Sequence, residues 1–166
     1  MHKHRIGLID LDSSHAAAFT GEIKKSADME VVAVWDGGDV RPPEYAAMFA
    51  AEHAVPYAAD KPEDMLGKVD GVIILSVDWN KHLERARPFL EAGVPVFIDK
   101  PVFGCLRDGY ELKRLADAAG APLMGGSGVR YDDGVMALRD ETAQIRDKMD
   151  SAFACGPGTF YYYGIH

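Results

Sequence analysis

The sequence predicts an α/β fold in which helices cover both faces of a doubly wound parallel sheet. Short apolar segments alternate with stretches of helical periodicity along most of the chain, which is typical of βαβ units. Residues 71–77 (Gly-Val-Ile-Ile-Leu-Ser-Val) are almost continuously apolar, as expected for a strand covered on both faces. Two helical stretches end at Gly93 and Gly120, and an apolar strand follows each of them.

The order of the elements predicts two domains. We expect six strands in the first domain, at residues 5–9, 30–35, 55–58, 71–77, 95–98 and 121–124. The helix after the first strand is capped by Asp12, Ser13 or Ser14. Residues 1–125 then form the sheet domain. Residues 126–166 begin a second, α+β domain, with a linker helix up to about residue 149 and a strand over residues 151–163.

Composition restricts the class of protein. The chain is 48% hydrophobic and 27% charged, which is ordinary for a globular protein. Its net charge of −8 disfavours nucleic acid as a partner, because an acidic surface repels phosphates. No apolar run approaches the ~20 residues of a membrane span, and Cys105 and Cys155 fit neither a disulfide framework nor a metal pair. We therefore expect a cytoplasmic protein without a membrane partner.

Several segments, taken together, resemble one known family. Residues 5–9 read Arg-Ile-Gly-Leu-Ile, residues 82–93 read His-Leu-Glu-Arg-Ala-Arg-Pro-Phe-Leu-Glu-Ala-Gly, and residues 95–101 read Pro-Val-Phe-Ile-Asp-Lys-Pro. Arg130-Tyr131 follows the sixth strand, and the chain ends in Gly164-Ile165-His166. At this spacing the whole chain resembles the Gfo/Idh/MocA oxidoreductases. The 95–101 segment is the most specific, with Asp99 in place of the family's glutamate.

The resemblance implies a function and two catalytic residues. The first domain would be of the Rossmann type and bind NAD or NADP, and the second would hold a sugar, polyol or related small molecule. Lys100 and His166 would assist proton transfer during hydride transfer. Because most of such a second domain would lie beyond residue 166, we expect a truncated chain that is inactive alone. The aromatic residues 161–163, on an unpaired strand, predict a homo-oligomer.

The phosphate loop departs from the family pattern. The glycines of G-x-G-x-x-G permit a tight turn and close approach to a pyrophosphate, and the matching positions here are Asp10, Asp12 and His15. Each carboxylate repels a phosphate charge by ~1 kcal/mol or more. The start of the helix, with Ser13 and Ser14, can still bind phosphate through N–H and hydroxyl donors. Alternatively the cofactor site is altered or lost, which leaves a non-catalytic binding module.

Further candidate cofactor contacts lie at the carboxyl ends of other strands, where α/β sheets bind ligands. Asp36 ends the second strand, where an acidic residue accepts from the ribose 2′-hydroxyl of NAD, or it forms a turn before Gly37. His82 contacts the cofactor or has a structural role in a first helical turn. The remaining candidates follow the fourth and fifth strands: Ser76, Asp78, Trp79, Asp99 and Lys100.

Residues 9–13 (Ile-Asp-Leu-Asp-Ser) allow a different enzyme class. They resemble the first motif of haloacid-dehalogenase-type phosphatases, in which the first aspartate is the nucleophile and the second a general acid or base beside Mg²⁺. Asp10 and Asp12 would take those roles. A metal site formed by Asp10, Asp12 and His15 is a further alternative, less favoured than a simple helix cap with no metal.

Overall fold

Six strands form one parallel sheet in the computed structural model, which describes residues 3–151 and residue 153. The strands are β1 (His4–Ile9), β2 (Met29–Trp35), β3 (Tyr57–Ala58), β4 (Gly71–Ile74), β5 (Val96–Asp99) and β6 (Leu123–Gly126). Their order, β3-β2-β1-β4-β5-β6, is that of the doubly wound fold and confirms the predicted fold class. Connections leave the neighbouring strands β1 and β4 toward opposite edges, so a crevice opens beyond their carboxyl ends.

Five α-helices accompany the sheet within the described residues. They are α1 (Ser14–Lys25), α2 (Tyr45–Glu52), α3 (His82–Glu91), α4 (Leu106–Ala119) and α5 (Asp133–Thr142). Ser13 caps α1, because its hydroxyl accepts a hydrogen bond from the N–H of His15. Gly120 ends α4 with a φ of 66°, a left-handed conformation that glycine adopts without strain. Among the described residues, no helix combines the length and the apolarity needed to cross a bilayer.

The core lies on both faces of the sheet. Leu8 and Ile9 are consecutive in β1 and fully buried, and they point to opposite faces. Ile9 belongs to a cluster that β4 and β5 form with α3 and α4, including the fully buried Phe89. Leu8 belongs to a second cluster with α1 and α2, including Phe49. This double cover is why the central strands read as continuous apolar runs.

β4 is shorter than the sequence predicts, because the backbone N–H of Val77 binds a carboxylate side chain and not a neighbouring strand. The N–H of Leu75 still bonds to the carbonyl of Ile9 in β1. After it, the hydroxyl of Ser76 and the backbone N–H of Val77 donate hydrogen bonds to carboxylates from the loop after β1. The predicted end of this strand at residue 77 is therefore wrong, and the last ordered ladder residue is Ile74.

The chain divides into two compact units, Met1–Gly125 and Gly126–His166. In the second unit, Asp132 caps α5 by accepting a hydrogen bond from the N–H of Gly134. The helix ends at Thr142, earlier than predicted, and a separate 3₁₀ turn, Arg146–Lys148, follows. The strand predicted over residues 151–163 lies outside the described residues, apart from Ser151 and Phe153.

We expect Phe89→Ala to lower the free energy of unfolding by about 4 kcal/mol, because it leaves a cavity in the cluster between α3, α4 and the sheet. Urea denaturation followed by circular dichroism measures the change. Leu106→Ala is the control, because Leu106 is 70% exposed at the start of α4 and should change stability by less than about 0.5 kcal/mol. Equal losses in both variants would contradict the assigned core.

Candidate functional site

Asp10, the residue after β1, joins the ends of three strands. It has a φ of 60°, the left-handed conformation that aspartate tolerates better than most residues, and its side chain is turned into the protein, with 1% exposure. Its Oδ1 accepts from the N–H of Gly37, after β2, at 2.9 Å. Its Oδ2 accepts from the hydroxyl of Ser76, after β4, and from Nε of Arg85, in α3, at 3.1 Å. The carboxylate is thus a hub of the carboxyl edge of the sheet.

Arg85 completes this hub and was not predicted from the sequence. Its side chain is 11% exposed, and its guanidinium lies 4.6 Å from the ring centre of Trp35. A second contact reaches Asp39, whose carboxylate also pairs with Lys81. Helical periodicity could not have identified Arg85, because the sequence pattern of α3 does not distinguish this largely buried arginine from a half-exposed one such as Arg87.

Gly37 leaves room for the close approach of this arginine. A Cβ at position 37 would lie 2.6 Å from a guanidinium nitrogen of Arg85 and 3.0 Å from Oδ1 of Asp10. Any larger residue would therefore have to push the buried pair apart. The glycine serves the chain's own ion pair here.

Asp12 lies across the crevice between β1 and β4. It is 7% exposed, and its Oδ2 accepts from the N–H of Val77, after β4, at 2.9 Å. Its Oδ1 is buried, and no described residue donates a hydrogen bond to it. Burial raises the pKa of Asp12 above its ordinary value, the Val77 N–H opposes this, and the charges of Asp10, Asp36 and Asp39 raise it further.

Asp36 ties the loop after β2 to the loop after β1. Its Oδ1 accepts from the N–H of Gly38 at 2.9 Å, and its Oδ2 accepts from the N–H of Leu11 at 2.7 Å. The first contact is the turn that the sequence offered as one alternative. Each carboxylate oxygen retains a second lone pair, so the cofactor role of Asp36 stays a prediction beside the turn.

His15 and Asp99 form a second pair at the same edge. Nδ1 of His15, in the first turn of α1, lies 2.5 Å from Oδ2 of Asp99, the last residue of β5. The His15 side chain is 41% exposed, whereas that of Asp99 is largely buried. Lys100 follows directly, half-buried, with a cis peptide bond to Pro101. The structure therefore brings together residues from the loops after β1 and β5.

His82 has the structural role that the sequence offered as its alternative. It is fully buried at the start of α3, with Nε2 2.9 Å from the carbonyl oxygen of Ser76 and Nδ1 3.2 Å from that of Val102. The imidazole thereby connects the loops after β4 and β5. Its predicted contact with a cofactor stays a prediction.

The other predicted site residues have local roles in the structure. Asp78 caps the 3₁₀ turn Trp79–Lys81 by accepting from the N–H of Asn80 at 3.0 Å, so this turn precedes α3 and Asn80 is not the cap of that helix. The indole of Trp79 packs closely against Gly104. Ser14 is exposed in the first turn of α1, and His166 lies outside the described residues.

The metal and phosphatase alternatives gain no support from this geometry. Within the described part of the chain, no three His, Cys, Asp or Glu side chains are grouped so that they could hold a metal ion. Asp10, the nucleophile of the phosphatase alternative, is buried and engaged by three donors. A nucleophile must instead reach the phosphorus atom of a substrate.

The strand order and the crevice between β1 and β4 define a Rossmann-type nucleotide-binding domain. Residues 6–127 match the family model described as "Oxidoreductase family, NAD-binding Rossmann fold". The chain therefore belongs to the Gfo/Idh/MocA oxidoreductase family, which confirms the resemblance seen in the sequence. The match leaves the dehalogenase-type alternative without support.

Two curated relatives are similar in sequence. One, from Amycolatopsis mediterranei (strain S699), carries a provisional assignment as the oxidoreductase subunit of UDP-kanosamine synthase. It is 31% identical over 75% of this chain and 34% of its own length. The other, the uncharacterized oxidoreductase YfiI of Bacillus subtilis (strain 168), is 30% identical over 72% of this chain and 28% of its own length. The chain thus spans about a third of the length of these relatives.

Solved structures share the fold. A structure described as that of a "probable dehydrogenase from Thermotoga maritima" matches 84% of this chain and 41% of its own, with a TM-score of 0.75 and 22% identity. The WlbA dehydrogenase from Bordetella pertussis, solved with NADH and UDP-GlcNAcA, matches 87% of this chain and 43% of its own, with a TM-score of 0.76 and 22% identity. At these identities the likeness shows the fold alone.

We expect Arg85→Met to lower the free energy of unfolding by about 3 kcal/mol or more, because it leaves the buried Asp10 carboxylate without its cation. Arg87→Met is the matched control on the same helix: Arg87 is half-exposed, and its ion pairs should contribute less than about 1 kcal/mol. Urea denaturation of both variants measures the difference. Similar losses would show that the Asp10–Arg85 pair has no special weight.

The raised pKa of Asp12 has a consequence for the pH dependence of stability. The folded chain binds a proton at Asp12 more readily than the unfolded chain, so this contribution to the free energy of unfolding falls as pH rises from about 3.9 through the raised pKa. Asparagine keeps an acceptor for Val77 without the charge. We therefore expect Asp12→Asn to gain stability relative to the wild type as pH rises from about 4 to about 7.

Urea denaturation at several pH values measures this difference, with Asp117→Asn, an exposed carboxylate on α4, as the control. A stability difference between Asp12→Asn and the wild type that stays constant with pH would contradict the assigned burial of the charge.

Proposed function

We propose that this chain is the nucleotide-binding part of a nicotinamide-dependent oxidoreductase that acts on a sugar, a polyol or a related small molecule. The observation that carries the proposal is the doubly wound strand order, with its crevice between β1 and β4, in a chain of an NAD-binding oxidoreductase family. The substrate class follows from the family resemblance. It is in keeping with the nucleotide sugar in the WlbA complex.

Most of the crevice fits a dinucleotide. Asp10 keeps the left-handed turn that a glycine usually provides, and α1 begins with Ser13 and the exposed Ser14. The first N–H groups of a helix attract a phosphate. Asp36 stands at the end of β2, where the adenosine ribose is held in this fold. Asp12 is the exception, because its ionised carboxylate would repel a pyrophosphate at the start of the helix.

The chemistry is divided between cofactor and protein. A bound nicotinamide supplies or accepts the hydride. We assign the proton transfer to Nζ of Lys100. It gives a proton to a substrate carbonyl oxygen during reduction, or takes one from a substrate hydroxyl during oxidation. Lys100 follows β5 at the edge where α/β sheets bind ligands. His166 is the proposed partner of Lys100 by family resemblance.

The departures at the glycine positions favour a second candidate, a non-catalytic binding module. Asp10, Asp12 and His15 replace the three glycines, and the carboxylate of Asp10 accepts its hydrogen bonds from groups within the chain. Both candidates have the doubly wound strand order with its crevice between β1 and β4, and only the first turns over a substrate. The cytoplasmic location and self-association stay predictions.

We expect the chain to bind NADH about tenfold more tightly than NADPH, since the Asp36 carboxylate would repel the additional 2′-phosphate. Nicotinamide fluorescence during titration measures both affinities. Asp36→Asn should narrow the preference, and Asp117→Asn, on α4, is the control with an equal change in charge.

The same preparation, mixed with NAD⁺ and a panel of sugars, polyols and nucleotide sugars, separates the two candidates. Formation of reduced nicotinamide supports the oxidoreductase and rules out the binding module, whereas NADH binding without turnover is the result expected of the nucleotide-binding part by itself. If neither the wild type nor Asp12→Asn binds either cofactor, the proposed function fails.

A further inference from the structure

The contact between Asp12 and Val77 spans the crevice in which a dinucleotide would lie. Asp12 belongs to the loop after β1 and Val77 to the loop after β4, and these two strands are neighbours in the sheet. The chain leaves them in opposite directions, which is what opens a ligand crevice in doubly wound folds. A 2.9 Å hydrogen bond from the N–H of Val77 to Oδ2 of Asp12 bridges this opening.

The other oxygen of Asp12 lacks a donor. Oδ1 is buried, and among the described residues none donates a hydrogen bond to it. Asp12 as a whole is only 7% exposed, so solvent does little to replace the missing donor. Buried carboxylate oxygens are almost always hydrogen-bonded, because an unpaired one loses its hydration without compensation. The position directly precedes Ser13, the N-cap of the twelve-residue helix α1. A buried oxygen without a donor at the start of this helix indicates that Oδ1 of Asp12 either binds a proton or receives a hydrogen bond from a ligand.

The surroundings of Asp12 are acidic. Three carboxylates act on it, from its own loop and from the loop after β2: Asp10, Asp36 and Asp39. Two of the nearby cations are already paired with carboxylates, Arg85 with Asp10 and Asp39, and Lys81 with Asp39. Two further charged or titratable groups lie close by in sequence or space: His15 in α1, held by Asp99, and Arg41, whose Nε is 3.4 Å from the carbonyl of Leu11.

We infer that dinucleotide binding in this crevice is coupled to the uptake of a proton by Asp12, which removes the charge from the crevice and turns the carboxyl group into a hydrogen-bond donor to a phosphate oxygen. This inference rests on the proposed function. Ionised Asp12 accepts the N–H of Val77 and repels the pyrophosphate. Neutral Asp12 offers an O–H in place of the charge, and its carbonyl oxygen still accepts the N–H of Val77. Burial and the three neighbouring carboxylates raise the pKa of Asp12, which brings the neutral form within reach.

Proton-coupled binding predicts how steeply the affinity for the ligand changes with pH. If only the neutral form of Asp12 admits the ligand, the affinity falls up to tenfold for each pH unit above the pKa of Asp12. NADH is the appropriate probe, because its pyrophosphate does not titrate near neutrality, whereas the 2′-phosphate of NADPH has a pKa of about 6.

The experiment is a fluorescence titration of the whole chain with NADH at several pH values from about 5.5 to about 8.5. We expect the wild-type dissociation constant to rise with pH. Asp12→Asn should bind with a dissociation constant that is independent of pH and lower than that of the wild type at the alkaline end. His15→Gln should keep the wild-type slope, which separates Asp12 from a histidine that titrates in the same range. Asp117→Asn is the control for the loss of one negative charge.

Three results would overturn the inference. One is a wild-type affinity that does not change with pH. Another is a pH slope that survives in Asp12→Asn or disappears in His15→Gln. The third is NADH binding by Asp12→Asn at every pH with none by the wild type, because the carboxylate would then exclude the ligand irrespective of its proton. Absence of NADH binding in all variants would defeat the proposed function as well, and that outcome differs from each of the three.

Discussion

The buried carboxylate of Asp10 holds the carboxyl edge of the sheet together. It takes hydrogen bonds from Gly37, Ser76 and Arg85, which belong to the segments that follow β2 and β4. A charge this deeply buried is tolerated only where donors surround it. The strand ends on either side of the switch point are therefore fixed by one side chain. In the usual form of this fold, the phosphate of a ligand collects backbone donors at the same edge.

The same constraint explains the arrangement around the crevice. Because Asp10 engages Arg85, the guanidinium lies on Trp35, and it also contacts Asp39, which pairs with Lys81. The absence of a side chain at Gly37 leaves room for the protein's own ion pair between Asp10 and Arg85. Carboxylates from the loops after β1 and β2 thus satisfy donors at this edge of the sheet. Within the part of the chain that the structure describes, Asp12 alone has a buried side-chain oxygen without a donor.

Much of the fold follows from the sequence, because it depends on local patterns. The continuous apolar strands, the serine cap of α1 and the terminal glycine of α4 all appear where periodicity and capping chemistry predict them. The site is less accessible to such reasoning. The residue types Asp10, Asp12 and Asp99 could be singled out, yet their partners could not. Arg85 and Val77 meet these carboxylates only after the strands have assembled, and a backbone N–H leaves no trace in residue identity.

The positions of the aromatic residues give the protein a built-in optical reporter. Of the chain's two tryptophans, Trp35 ends β2 and Trp79 begins the turn after β4, so both stand at the edge where the crevice opens. Indole emission overlaps the absorption of reduced nicotinamide, and a guanidinium stacked on one ring makes its emission sensitive to displacement of the arginine. The tryptophan fluorescence of this protein therefore originates at the carboxyl edge of the sheet, and energy transfer from the two indoles can follow occupancy of the crevice without any attached dye.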